Sequence, residues 1–271
     1  MSPPPSRIDD RFAALREKGE RALMPFLTAG DPDLETTEQL VLAMAEAGAD
    51  IIEIGVPFSD PIADGPTIQR ASERAIASGT TLRGILDLVR RVRDRVDCGL
   101  LVMGYANNFL AMGSQGFAEA ASEAGVDAVI VVDLPPEEGA EFFEACRSHG
   151  IDPVLLAAPT TTDERLDKLV AESRGFLYYV SLTGVTSARS ELARGIEEAV
   201  RAVQERGGIP VCVGFGISTP EHSAEVGAYA DGVVVGSAIV DRIEAAESRA
   251  DAVDSVSRYI AEMKAPLREP R

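Results

Sequence analysis

Short apolar, β-branched runs alternate with amphipathic stretches along the chain, and the alternation repeats eight times. The runs predict strands at Ala22–Thr28, Ala49–Val56, Gly99–Tyr105, Val126–Asp133, Pro153–Ala158, Phe176–Leu182, Ile209–Phe215 and Asp231–Gly236. After each strand comes a helix-like stretch: Leu34–Ala47, Thr67–Ser78 with Leu82–Val96, Gln115–Ala124, Glu137–Ser148, Asp163–Ser173, Leu192–Arg206, Glu221–Ala228 and Ala238–Met263. A further amphipathic segment, Ile8–Lys18, precedes the first strand and is placed to plug a barrel floor. Asp33, Ser190 and Thr219 stand where N-caps are wanted, and Gly48, Gly79, Gly125 and Gly150 where left-handed helix ends are wanted. Strict βα repetition with apolar strands implies parallel strands buried on both faces. Eight such units predict a (β/α)8 TIM barrel with an extra N-terminal helix. A doubly wound open sheet is the alternative, but the first turn, TAGDPD, is not its usual GxGxxG. No Pro/Gly/Ser-rich linker interrupts residues 1–271, so one domain is expected.

Composition narrows the partners. The balance of 26 Lys+Arg against 44 Asp+Glu leaves a formal charge of −18, which repels nucleic acid and anionic lipid. Lys18, Lys168 and Lys264 are the only lysines. Abundant carboxylate with scarce lysine suits a salt-filled, halophilic cytosol, although an Arg-favouring genome would give a similar bias. Neither a basic region with an apolar run at the start nor an uninterrupted membrane-length apolar stretch is present, so a cytoplasmic location is expected. Cys98, Cys146 and Cys212 show no CxxC spacing; Cys98 and Cys212 sit at or in apolar runs as small core residues.

In a barrel the chemistry lies at the C-terminal strand ends. Those ends carry Glu53, the loop from Pro57 to Gly65, Tyr105 with Asn107, Asp133, Tyr178 with Thr183, the turn Gly214–Ser218, and Gly236-Ser237. Strand alternation puts Glu53 on the face opposite Ile52 and Ile54. A carboxyl in such an apolar run is either tied down by a donor or kept protonated, and the second state suits a general acid. The two glycine turns after strands seven and eight let backbone N–H groups converge on an anion. None of the lysines sits at a strand end to form a Schiff base, and His149 and His222 mark helix ends rather than a metal cluster; no metal or cofactor is expected.

The segment EIGVPFSDPIADGPTIQ, Glu53–Gln69, closely resembles the signature of the tryptophan synthase alpha subunit family. PFLTAGDP at Pro25–Pro32, YANNF at Tyr105–Phe109, VVDLP ending at Pro135, TGVT at Thr183–Thr186 and VGFGIS at Val213–Ser218 resemble its other blocks in order. The resemblance implies a carbon–carbon lyase of tryptophan biosynthesis that cleaves indole-3-glycerol phosphate to indole and glyceraldehyde 3-phosphate. By the same resemblance Glu53 is the acid/base and Asp64 the second catalytic carboxylate. Phe26 and Phe215 would sandwich the indole, with Tyr105 and Tyr178 lining its pocket, and Gly184, Thr186, Gly216, Gly236 and Ser237 would surround the glycerol phosphate. It also implies a tryptophan synthase beta subunit as partner in an alpha2-beta2 heterotetramer, touched by the Asp60 loop, and a lid at Thr183–Arg189. Ser187 departs from the family, which usually has glycine there. Another sugar-phosphate isomerase and a non-catalytic activating subunit are the competing readings.

Overall fold

The computed structural model describes residues 6–180, 189–214 and 216–269, with side chains at 189–194 excepted. Its strands are β1 (Ala22–Thr28), β2 (Ile51–Gly55), β3 (Gly99–Gly104), β4 (Ala128–Val131), β5 (Asp152–Pro153), β6 (Leu155–Ala157), β7 (Leu177–Val180), β8 (Val211–Gly214) and β9 (Gly232–Val235). All pair in parallel, in the order β5-β4-β3-β2-β1-β9-β8-β7-β6. The two ends of that order, β5 and β6, are consecutive in sequence and separated only by Val154. They are two parts of one barrel strand: Val154 N–H donates to Val129 O at 2.9 Å and Arg174 N–H to Pro153 O at 2.9 Å. The sheet therefore closes on itself as the predicted eight-staved TIM barrel.

Around it run α1 (Arg7–Lys18), α2 (Leu34–Ala47), α3 (Pro66–Ala77), α4 (Leu82–Arg93), α5 (Ala106–Leu110), α6 (Ser114–Ala124), α7 (Ala140–Ser148), α8 (Asp163–Glu172), α9 (Arg189–Gly207), α10 (Pro220–Gly227), α11 (Ser237–Ala245) and α12 (Arg249–Lys264). Local chemistry sets several of these boundaries. Asp33 accepts from Thr36 N–H to open α2, and Gly48 at φ 107° closes it. Thr219 caps α10. The backbone of α9 begins at Arg189, so Ser190 falls within the helix rather than before it. The predicted helix Ala238–Met263 is two helices, because the chain turns extended at Ala246 and Ser248 then caps α12 through Asp251 N–H. The short helix α5 was not anticipated; Asp133 Oδ1 accepts its first N–H, Ala106, at 2.7 Å, so that carboxylate serves as a structural acceptor.

Strand alternation divides the core into two layers. Leu23, Leu27, Ile52, Ile54, Leu100 and Val102 pack outward beneath the helices. Ala22, Met24, Ile51, Leu101, Ile130, Tyr178 and Cys212 fill the barrel itself, joined by Ile8, Phe12 and Leu15 of α1. That contact, with the Phe12 and Phe176 rings 5.9 Å apart, makes α1 the floor plug its amphipathic pattern predicted. Cys98, Cys146 and Cys212 are buried free thiols, as small core residues would be.

Candidate active site

Phe26, Glu53 and Leu101 are register partners on three adjacent strands, and Glu53 enters the barrel interior from the middle of β2. It is only 1% exposed. Its Oε1 finds no hydrogen-bond donor among the described residues. Burial pushes its pKa up to about 8, because the ionised form loses water and gains nothing in return. Tyr178 enters from β7 and is itself buried; its hydroxyl is held above the usual range by burial first and by the Glu53 carboxyl next. Two glycines make room for these rings. A Cβ at Gly55 would lie 2.6 Å from the Phe26 ring, and one at Gly214 would collide with the Tyr178 hydroxyl.

Asp64 reaches the same cavity from the loop after β2. Tyr105 Oη donates to its Oδ2 at 3.1 Å and accepts Ala63 N–H at 3.0 Å. Burial raises the Asp64 pKa, while the Tyr105 hydroxyl opposes that rise by favouring the carboxylate. Tyr105 stacks on Phe58 with centroids 5.0 Å apart, so it stands behind Asp64 and supports it. The neighbouring amide that braces this loop is Asn108, not Asn107. Asn108 Oδ1 accepts Tyr105 N–H and its Nδ2 donates to Pro57 O, whereas Asn107 is exposed.

Across the mouth, Gly216 adopts φ 73°, a left-handed conformation that other residues avoid. Gly236 precedes α11, whose first residue is Ser237, so that helix turns its positive N-terminal end toward the opening. A cavity of about 310 Å³ joins the three parts, lined by Phe26, Glu53, Asp64, Tyr178, Gly216, Gly236 and Ser237. Its walls add Met103 and Asp241. Met103 was legible, since it alternates in step with the inward Leu101; Asp241 was not, because its direction depends on how α11 is laid down. Gly184, Thr186 and Phe215, with Ser187 and the rest of the lid segment before Arg189, lie outside the described residues.

A larger cleft, about 660 Å³, opens at the opposite face between Arg11, Lys18, Glu46 and Arg268. It ends on a satisfied ion pair, Asp50 with Lys264 at 2.8 Å. Size alone does not locate the chemistry. The smaller cavity does, with a protonatable carboxyl beside an aromatic wall at one end and an anion-seeking helix terminus at the other.

A family profile described as tryptophan synthase alpha chain matches residues 12–268. The tryptophan synthase alpha chain of Geobacter sulfurreducens is 53% identical over 267 residues, covering 97% of this chain and 98% of the relative. That of Paraburkholderia phytofirmans is 48% identical, covering 97% of each. Among solved structures, tryptophan synthase subunit alpha from Legionella pneumophila superposes with a TM-score of 0.90 at 37% identity, covering 97% of this chain and 99% of that one. A Mycobacterium tuberculosis tryptophan synthase structure superposes with a TM-score of 0.89 at 37% identity, covering 98% and 100%.

Proposed function

The chain belongs to the tryptophan synthase alpha chain family, and on that premise we propose that Glu53 and Asp64 carry its reaction at the barrel mouth. The activity is that of a lyase of tryptophan biosynthesis, cleaving indole-3-glycerol phosphate to indole and glyceraldehyde 3-phosphate. One observation carries the assignment of Glu53: a fully buried carboxyl whose Oε1 has no partner among the described residues and whose pKa is pushed up to about 8. Such a group holds a proton at neutral pH and can deliver it.

The cleavage then runs without outside reagents. The Glu53 carboxyl protonates indole C3, leaving positive charge at the ring N1–H. The Asp64 carboxylate, which accepts from the Tyr105 hydroxyl, stabilises that charge. The Glu53 carboxylate next removes the proton of the adjacent glycerol hydroxyl. The bond from C3 to the glycerol carbon breaks, its electron pair returns to the ring, and the hydroxyl becomes the aldehyde. Phe26 and Phe215 are assigned to the indole faces, and Tyr178 to the wall beside Glu53. Gly184, Thr186, Gly216, Gly236 and Ser237 are assigned to the phosphate. The helix terminus at Ser237 supports that end of the assignment.

As an alpha chain the protein works with a beta-chain partner. We assign the complex an alpha2-beta2 stoichiometry, a single-domain alpha chain and a cytoplasmic location. The Asp60 loop is assigned to the contact, a choice supported by its Ile62, which is 86% exposed. No described helix is long and apolar enough to cross a membrane. The test is indole release from indole-3-glycerol phosphate, with and without the matched beta chain. Asp64→Asn should lose at least about 100-fold, because an amide cannot stabilise the cationic ring as a carboxylate does. No release by the wild-type chain, even with its partner, would favour a non-catalytic activating subunit.

The charge of −18 supports a halophilic setting. Melting temperature should rise from 0.1 M to about 2 M KCl as screening relieves repulsion. A flat or falling curve rules that setting out.

A further inference from the structure

The two glycine turns assigned to phosphate are joined from outside the barrel by one side chain. Tyr259 lies on α12, is 3% exposed, and takes no part in lining the cavity. Its hydroxyl donates to the backbone carbonyl of Ser218 at 3.1 Å, and Ser218 lines the cavity beside Gly216. Over the Tyr259 ring, 3.6 Å from its centroid, sits the guanidinium of Arg242 from α11. Arg242 Nη1 in turn donates to Ala238 O at 2.7 Å, in the first turn of α11 next to Ser237. Tyr259 thus touches the β8 turn through its hydroxyl and the β9 turn through its ring.

The hydroxyl bond also has a direction. In a trans peptide the C=O and the following N–H point opposite ways. Holding the Ser218 carbonyl outward on α12 turns the Thr219 N–H away from α12. The same bond limits the rotation that would spoil convergence of the backbone donors on one anion.

Building on the phosphate assignment above, we propose that Tyr259 is a positioning residue that sets the two glycine turns at the spacing an organic phosphate monoester requires. It does not touch substrate. It acts through Ser218 and Arg242, so its loss weakens the anionic half of the ligand and leaves the indole half alone.

Tyr259→Phe keeps the ring under Arg242 and removes only the hydroxyl. Binding of glycerol 3-phosphate and of indole would be measured separately by calorimetry, alongside steady-state cleavage. Loss of one neutral hydrogen bond predicts a dissociation constant for glycerol 3-phosphate, and a KM, raised about three- to tenfold. kcat should stay within about twofold and indole affinity should not move. Unchanged glycerol 3-phosphate affinity overturns the proposal. So does equal weakening of both probes, which marks a merely structural hydroxyl. Gly236→Asp separates this from failure of the phosphate assignment itself. A side chain fits there, with its Cβ 3.7 Å from the nearest atom, but its carboxylate repels an anion. If that variant still binds glycerol 3-phosphate, the phosphate lies elsewhere and the role of Tyr259 falls with it. Should Tyr259→Phe fail to fold, Arg242→Lys decides, because it keeps the charge and loses the planar contact. Selective weakening of glycerol 3-phosphate supports the role, and no change overturns it.

Discussion

Asp50 and Glu53 are buried carboxyls three residues apart, one just before β2 and one within it, and they are treated in opposite ways. Asp50, at the floor, is 5% exposed and surrounded by donors. Leu23 N–H reaches its Oδ2 at 2.8 Å, and so does the buried ammonium of Lys264. Glu53, toward the mouth, is 1% exposed, and its Oε1 has no donor among the described residues. The floor carboxylate is compensated and fastens the end of α12 to the barrel. The mouth carboxyl is left uncompensated, so the cheapest way to bury it is to protonate it. A buried acid with partners holds a fold together; one without them stores a transferable proton.

The sharpest way to break this contrast is Glu53→Gln. The amide keeps the shape and cannot shuttle a proton. Indole release should fall by about 10²–10⁴-fold while glycerol 3-phosphate affinity stays nearly unchanged. Turnover within a few-fold of wild type in the folded variant would put Glu53 in the same class as Asp50.

Next in size is Lys264→Met. Removing one partner of a buried pair leaves the Asp50 carboxylate uncompensated and should cost about 3–5 kcal/mol of stability. The fraction that remains folded should cleave substrate at close to the normal kcat. Denaturant melts with parallel assays check both halves, and a large fall in kcat with intact stability would tie the floor to the chemistry.

The effect smallest at any one pH step is a slope. Glu53 has a folded pKa of about 8 against an ordinary value of 4.5. Between those values the native state keeps a proton that the unfolded chain releases, so stability falls as pH rises through that window and levels off above it. The slope contributed by this one group is at most about 1.4 kcal/mol per pH unit. Glu53→Gln lacks that loss, so its melting temperature relative to wild type should climb from pH 4.5 to about 8. A constant difference across that range would mean that Glu53 is already ionised in the native state.

Much of this molecule was legible as sequence. Short apolar, β-branched runs and capped amphipathic stretches located β1 and α2 to the residue and the remaining staves to within about two residues at each end. Alternation put Glu53 on the face opposite Ile52 and Ile54, and barrel closure made that face the interior. The misses have physical causes. Ala246 and Glu247 are good helix formers, so nothing local but the Ser248 cap announced the break between α11 and α12. Ser190 is a competent capping residue, yet the helical backbone of α9 already begins at Arg189.

What the sequence determined by itself is whatever depends on neighbours a few residues apart: strand faces, helix caps, the glycine turns and the signature Glu53–Gln69. What only the tertiary structure decided is compensation. Whether a buried carboxyl has a donor depends on residues distant in the chain, and no local pattern records them. Asp50 meets Lys264 across 214 positions, Asp64 meets Tyr105 across 41, and Ser218 meets Tyr259 across 41. Barrel closure brings those pairs within hydrogen-bond reach. The low dielectric of the interior then makes the presence or absence of one donor decide between a structural anion and a working acid.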